Sequence, residues 1–166
     1  MPANDHDDLF VLAPSRIHGL GVFALQDLKR GQVLARYQGT PIASLPPAPG
    51  PYVFHNRSTG RFVDAADDRG NVLTQIGKDK QGRPLYQYVR PRRSDPRSPT
   101  VAKFMNHLPS AWSNCRITSG GKVVTKRCIR KGEELTYSYG PRCGFGYRDA
   151  GPPLDLSSFV VPPRGS

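Results

Sequence analysis

Residues 102–140 read AKFMNHLPSAWSNCRITSGGKVVTKRCIRKGEELTYSYG. Two polar knots stand out. Asn106-His107 follows a short apolar run, and Glu133-Glu134-Leu135-Thr136-Tyr137-Ser138-Tyr139 closes the stretch. Between them, strand-like runs at 115–119 and 122–129 flank Gly120-Gly121, and glycines between β-type runs predict a hairpin. Each knot taken alone has an ordinary explanation. An Asn-His pair is commonly a turn or a satisfied polar corner, and Tyr-x-Tyr fits one face of a half-buried strand by its period of two.

Composition bounds what surrounds this stretch. The chain has 166 residues, enough for one domain with a modest core. Its 17 Gly and 17 Pro predict many turns and short elements. Few segments carry the i, i+3, i+4 apolar pattern of a long helix, so the expectation is a mainly β protein with few short helices. Three cysteines, Cys115, Cys128 and Cys143, are an odd count without close pairing, which argues against a disulfide framework. The acidic N-terminus, MPANDHDD, lacks the apolar region of a secretory signal, and no apolar run approaches bilayer length. The expectation is a cytoplasmic or nucleoid- or nucleus-associated protein. A formal net charge of +11 favours contact with nucleic acid or another polyanion.

Upstream, residues 9–13 form an apolar strand candidate. His18-Gly19-Leu20-Gly21-Val22-Phe23-Ala24 superficially fits a dinucleotide fingerprint. That fingerprint needs a helix after it and a βαβ unit around it. Here a turn at Gly31 and a strand-like run at 32–37 follow instead. Leu34-Ala35-Arg36-Tyr37-Gln38-Gly39 comes next, then a Pro-rich connection over 41–51. Strand candidates at 52–56 and 61–64 flank a Ser58-Thr59-Gly60 turn. A long segment, about 66–100, separates Phe62-Val63-Asp64-Ala65 from Asn106. Its second half is basic and broken by prolines. Residues 91–99 are expected to be disordered, or else to form a phosphate-binding arm with Arg90, Arg92 and Arg93.

These motifs, in this order, resemble the SET-domain protein lysine methyltransferases. That family has a Gly-x-Gly loop before Val-Phe-Ala, a strand ending in Tyr-x-Gly, an Asn-His corner and a closing Gly-Glu-Glu-Leu-Thr-Tyr run. The resemblance covers most of residues 14–140 apart from the 66–100 insert. It implies small β-sheets with the C-terminal segment threaded through a loop as a pseudoknot, in a domain over 9–147 with flexible tails at 1–8 and 151–166. It also implies methyl transfer from S-adenosyl-L-methionine to lysine side chains of a protein, possibly a histone or histone-like basic protein.

Carried over residue by residue, the resemblance makes Tyr139, Tyr37 and Tyr137 the residues shaping the lysine channel. It makes His18, Gly19, Leu20, Gly21, Asn106 and His107 the cofactor-binding set, with Phe145 or Tyr147 covering the cofactor. Asn106 can donate and accept, so it can hold either the ammonium or the carboxylate end. Glu133 and Glu134 are expected to organise the hairpin end rather than to act as a base. Many family members bind zinc through a cysteine after Asn-His and a cysteine-rich tail. Here Leu108-Pro109-Ser110-Ala111-Trp112-Ser113-Asn114 follows His107 and the tail offers one cysteine, so no structural zinc is expected. The rival reading is a non-catalytic basic β-module that binds nucleic acid, under which Tyr139 and Asn106 have no special role.

Overall fold

A computed structural model describes residues 9–43, 52–56, 58–89, 99–139, 151–157 and 159. The strands are β1 Phe10–Pro14, β2 Leu20–Ala24, β3 Val33–Arg36, β4 Thr40–Ile42, β5 Val53–Asn56 and β6 Arg61–Asp64. They continue with β7 Val72–Lys78, β8 Pro84–Val89, β9 Asn106–His107, β10 Cys115–Ile117, β11 Lys122–Thr125 and β12 Glu134–Tyr137. A short 3-10 turn, Val101–Phe104, precedes β9, capped by the Thr100 hydroxyl accepting from the Ala102 N–H.

The strands form a six-stranded sheet in the order β7-β8-β1-β2-β12-β9 and two three-stranded sheets, β10-β11-β3 and β4-β6-β5. The mainly β architecture of small sheets is the expected one. Alternation along β1 and β2 shows where the core sits. Phe10, Leu12, Val22 and Ala24 enter one apolar cluster, and Val11, Ala13 and Phe23 enter a second on the opposite face. Both faces of these central strands are covered, so they read as continuous apolar runs. Burying each such aliphatic side chain is worth about 1.5–3 kcal/mol.

β12 lies between β2 and β9, antiparallel to the first and parallel to the second, with Leu135 opposite Val22 and Thr136 opposite Asn106. The loop leaving β9 closes over it. Asn114 Nδ2 donates to the Glu134 carbonyl at 2.8 Å, and the Thr136 N–H donates to Asn114 Oδ1 at 2.9 Å. The last strand is therefore held inside a loop made earlier in the chain, which is the expected threading.

The predicted hairpin forms between β10 and β11, with Cys115 opposite Thr125. Gly121 sits at φ 88, a left-handed conformation that favours glycine at the turn. Strand pairing stops at Thr125 rather than running on to 129, because the chain turns at 126–127. Gly19-Leu20-Gly21 leads into strand β2 and then a turn, not a helix, in keeping with the rejection of the dinucleotide reading.

The 66–100 insert differs most from expectation. Its middle is an ordered hairpin, β7–β8, that extends the main sheet at β1 and buries Leu85 and Tyr88. Residues 90–98, with Arg90, Arg92 and Arg93, lie outside the described residues. Residues 151–157 were expected within a flexible tail. Here the Leu154 N–H donates to the Gly132 carbonyl at 2.9 Å, and Leu154 and Leu156 fill the second cluster. The apolar pair explains the difference: it covers the face of β1 and β2 that the first cluster leaves open. Of the cysteines, Cys115 is buried and Cys128 is exposed, and Cys143 lies outside the described residues.

Candidate functional site

Asn106 is placed on the edge strand β9 of the six-stranded sheet by its parallel pairing with Thr136. Its side chain, 7% exposed, ties three segments together. Nδ2 reaches the His18 carbonyl at 3.0 Å, the Leu20 carbonyl at 3.3 Å and Glu134 Oε1 at 3.0 Å. On the far side, Glu134 Oε2 accepts from the Ser15 hydroxyl at 2.9 Å, and the Ser15 N–H donates to the Gly19 carbonyl at 2.7 Å. Gly21 faces this carboxylate so closely that an added Cβ would lie 2.0 Å from Glu134 Oε1. The second glycine of Gly-Leu-Gly is thus a matter of space, whereas Gly19, at φ 44, meets a backbone requirement.

Glu134, expected only to organise the hairpin end, is the buried hub of this corner. Burial pushes its carboxyl above the ordinary range, partly offset by the hydrogen bonds from Asn106 and Ser15. The closing Gly-Glu-Glu-Leu-Thr-Tyr run contains it without marking it as a hub; its contacts with Asn106, Ser15 and the Gly21 backbone do so.

The tyrosines form a second group. Tyr139 donates its N–H to His107 Nδ1 at 2.8 Å, and its hydroxyl donates to the Met105 carbonyl. Its ring lies 5.0 Å from that of Tyr137 and 5.1 Å from that of His107. Burial lowers the His107 pKa, which suits a ring nitrogen that must accept. Tyr37 is fixed by its hydroxyl donating to the Tyr52 carbonyl at 2.7 Å and by its ring against Phe54 at 5.3 Å. Burial foremost, then the neighbouring Tyr139, raises the Tyr37 phenol well above its ordinary value, so it stays a neutral donor. Gly39 lets the end of β3 approach β6, since a Cβ there would meet the Asp64 carbonyl at 2.4 Å. Of the sequence-predicted residues, Tyr137 pairs with His107, Tyr139 bonds it, and the His18 and Leu20 carbonyls meet Asn106, whereas Tyr37 is anchored on Tyr52 and Phe54. Phe145 and Tyr147 lie outside the described residues.

A cleft of about 460 Å³ opens beside the corner, lined by Leu108, Trp112, Asn114, Arg127, Glu134 and Gly151 among others. Its size suits a small-molecule site. It meets the predicted cofactor set at Glu134, the partner of Asn106, while His18, Gly19, Leu20, Gly21, Asn106 and His107 are not in its lining. Leu108 and Trp112 offer it apolar surface that no motif marks. One of its walls is the loop after His107.

Behind the tyrosines lies Lys103, buried at 7%. Its Nζ donates to the Ala65 carbonyl at 3.0 Å, pairs with Asp68 at 2.5 Å, and stands over the rings of Tyr52, Tyr88 and Phe104 at 5.0, 5.5 and 5.3 Å. In the sequence it stands out only as the start of the Lys-Phe-Met-Asn-His run.

A threaded last strand, an Asn-His corner joined to a glycine loop, and paired tyrosines define the class. The family model of the SET domain matches residues 19–140, and the chain belongs to that family. It is similar to the histone-lysine N-methyltransferase set-2 of Caenorhabditis elegans, 26% identical over 132 residues. That match covers 76% of this chain and 7% of the relative's length, so the chain spans a small part of the curated relative it matches. Among solved structures it is similar to the methyltransferase domain of human PR domain-containing protein 2, with TM-score 0.41, 18% identity and 81% and 79% of the two chains covered. It is also similar to the ATXR5 SET domain in complex with histone H3 di-methylated on R26, with TM-score 0.43, 18% identity and 82% and 60% covered. Among the described residues no helix is long and apolar enough to cross a membrane.

Proposed function

We propose that this chain transfers a methyl group from S-adenosyl-L-methionine to the side-chain nitrogen of lysine in a basic protein, a histone or histone-like protein. The observation that carries the proposal is the anchoring of Tyr139 on the Met105 carbonyl and on His107, the residue next to the Asn106–Glu134 corner, in a SET domain. The active unit is residues 9–147 together with the packed 151–157 segment.

The Asn106 corner and the 18–21 backbone hold the cofactor, with Leu108 and Trp112 as its apolar surface. When bound, the cofactor supplies an electrophilic methyl group on a cationic sulfonium. The protein's task is to present a neutral amine in line with it. Lysine has a reference pKa of about 10.4, and a dry channel beside a cation lowers it. Tyr37 and Tyr137, both buried, supply the dry walls, and Tyr37 stays protonated and so adds no anion that would hold the lysine as an ammonium; the ammonium gives its proton to solvent before the neutral amine attacks. Fixing the amine's direction of attack contributes several kcal/mol of barrier lowering.

Incubation with labelled cofactor and histones tests the activity. Tyr139→Phe removes one hydroxyl and keeps the ring, so kcat should collapse while cofactor affinity by calorimetry stays near normal. Asn106→Ala should weaken cofactor binding by about 1–3 kcal/mol. No methyl incorporation into any basic protein, with no cofactor heat in the folded parent, would overturn the assignment.

A further inference from the structure

The net charge of +11 is unevenly distributed. Two basic turns far apart in sequence, Lys29-Arg30 and Arg130-Lys131, are joined at their bases by an antiparallel bridge between Leu28 and Ile129, one to each side of it. The bridge is closed in both directions, Leu28 N–H to the Ile129 carbonyl at 2.7 Å and Ile129 N–H to the Leu28 carbonyl at 2.9 Å. Further bonds stiffen both turns. The Gly31 N–H donates to the Thr125 carbonyl at 3.0 Å, and the Lys131 N–H donates to Asp27 Oδ1 at 2.8 Å.

Because the bridge is antiparallel, Lys29 and Arg30 leave it on one side and Arg130 and Lys131 on the other. Lys126 and Arg127 run alongside the first pair. The result is a stripe of cations rather than a point. Lys29, Arg30, Arg130 and Lys131 are all exposed, and none forms an ion pair among the described residues. Two acids stand among these cations; among the described residues Glu133 is engaged by a cation and Asp27 by a backbone N–H alone. Glu133 holds Arg127 at 3.3 Å and accepts from the Arg130 N–H at 2.6 Å, and Asp27 accepts from the Lys131 N–H.

The chemistry of the stripe selects its partner. Its aliphatic side chains, Leu28 and Ile129, are 2% and 1% exposed, and no aromatic residue occurs in 26–32 or 126–131. A protein interface would be expected to offer aromatic or apolar anchors. A single-strand site would offer rings for bases to stack on. Lysines and arginines carried on turns of fixed backbone, with the exposed Trp112 on the cleft beyond Arg127 rather than on the turns, match the phosphate backbone of a duplex, which presents one charge per roughly 1.7 Å of axis. We propose that the Lys29-Arg30/Arg130-Lys131 stripe is a docking surface for the backbone of double-stranded DNA, read without regard to base sequence. It adjoins the wall of the cleft at Arg127, so a protein substrate carried on DNA would be held beside the site. The inference is independent of the methyl-transfer reading, since binding is measured without cofactor.

The test is fluorescence-anisotropy titration of the full chain with a random-sequence DNA duplex over a range of salt. In Lys29→Gln/Arg30→Gln/Arg130→Gln/Lys131→Gln, the slope of log affinity against log salt should flatten by about 3 to 4, at about 0.9 for each phosphate no longer neutralised. Affinity at low salt should fall at least tenfold. The two double variants should each give about half the effect, which keeps the test open if the fourfold variant fails to fold. The charge-keeping Lys29→Arg/Arg30→Lys/Arg130→Lys/Lys131→Arg should keep the parental slope. A parental slope in the folded glutamine variants would overturn the proposal. So would polyglutamate of matched charge competing as well as DNA, which would reassign the stripe to an acidic protein.

Discussion

A carboxylate that is 5% exposed and has no ion pair among the described residues must be held by dipoles alone, and Glu134 is held by Ser15 and Asn106. Its carboxyl is raised by burial, so between its ordinary value of 4.5 and its raised value the native state binds more protons than the unfolded one. Stability must then fall as pH rises through that window and level off above it. Glu134→Gln should remove this fall, and denaturation midpoints measured upward from pH 4.5 check it. An unchanged slope in the variant would mean other groups set it. Gly21→Ala should cost about 1–3 kcal/mol, because its Cβ overlaps Glu134 Oε1 and the carboxylate must leave its partners. Asn106 and Tyr139 stand in local motifs that the sequence shows. Glu134 stands in one too, but the sequence does not show its position as a hub, because that lies in a glycine brought beside it only by β2–β12 pairing. If the chain transfers methyl groups to lysine as proposed, Tyr137 is the residue that would limit their number. It is 6% exposed with its ring against Tyr139, and a hydroxyl there takes room a further methyl would need. The chain should stop at mono- or dimethyl-lysine, and Tyr137→Phe should shift products upward. Mass spectrometry of a methylated peptide decides this, and trimethyl product from the parent would refute it.

At the scale of elements, most strands were visible as short apolar or alternating runs between Gly and Pro, but β7–β8 was not. β7 is exposed along most of its length, as VLTQIGK, so it shows no buried face to read. β8 begins with proline and carries its burial on Leu85 and Tyr88 alone. What orders this hairpin is tertiary: Leu85 enters the second cluster, and Tyr88 packs on Phe104 at 5.0 Å and hydrogen-bonds Asp68, the partner of Lys103. The insert thus supports the turn that carries Met105 and Asn106. Leu85→Ala should cost about 2–5 kcal/mol, as for any fully buried leucine, whereas Val72→Ser, on the exposed edge, should stay within about 0.5 kcal/mol. Equal effects in chemical denaturation would show that the hairpin is an appendage. Loss of stability in Leu85→Ala should also reach methyl transfer, since both tyrosine anchors lie beside the Lys103 cage.

For the whole molecule, the decisive event is the capture of β12 between β2 and β9 inside the loop 108–114. Local pattern cannot show this, because the strand's partners come from both ends of the chain and the loop that closes on it reads only as an irregular bridge. The closure rests on Asn114, 5% exposed, whose amide replaces a strand neighbour for the Glu134 carbonyl and the Thr136 N–H. Asn114→Ala orphans both buried backbone groups, each at about 1–3 kcal/mol. Asn114→Asp keeps an acceptor for Thr136 but sets an oxygen against the Glu134 carbonyl, so it too should destabilise. Either variant staying within about 0.5 kcal/mol of the parent would make Asn114 an ordinary loop residue. The kinetics carry a sharper expectation. β12 cannot find its place until β2 and β9 flank it, so the Asn114 hydrogen bonds form after the rate-limiting barrier. The destabilisation should then appear mainly as faster unfolding, with the folding arm of the chevron little changed. An effect confined to the folding arm would mean that β12 is already seated against Asn114 at the rate-limiting barrier.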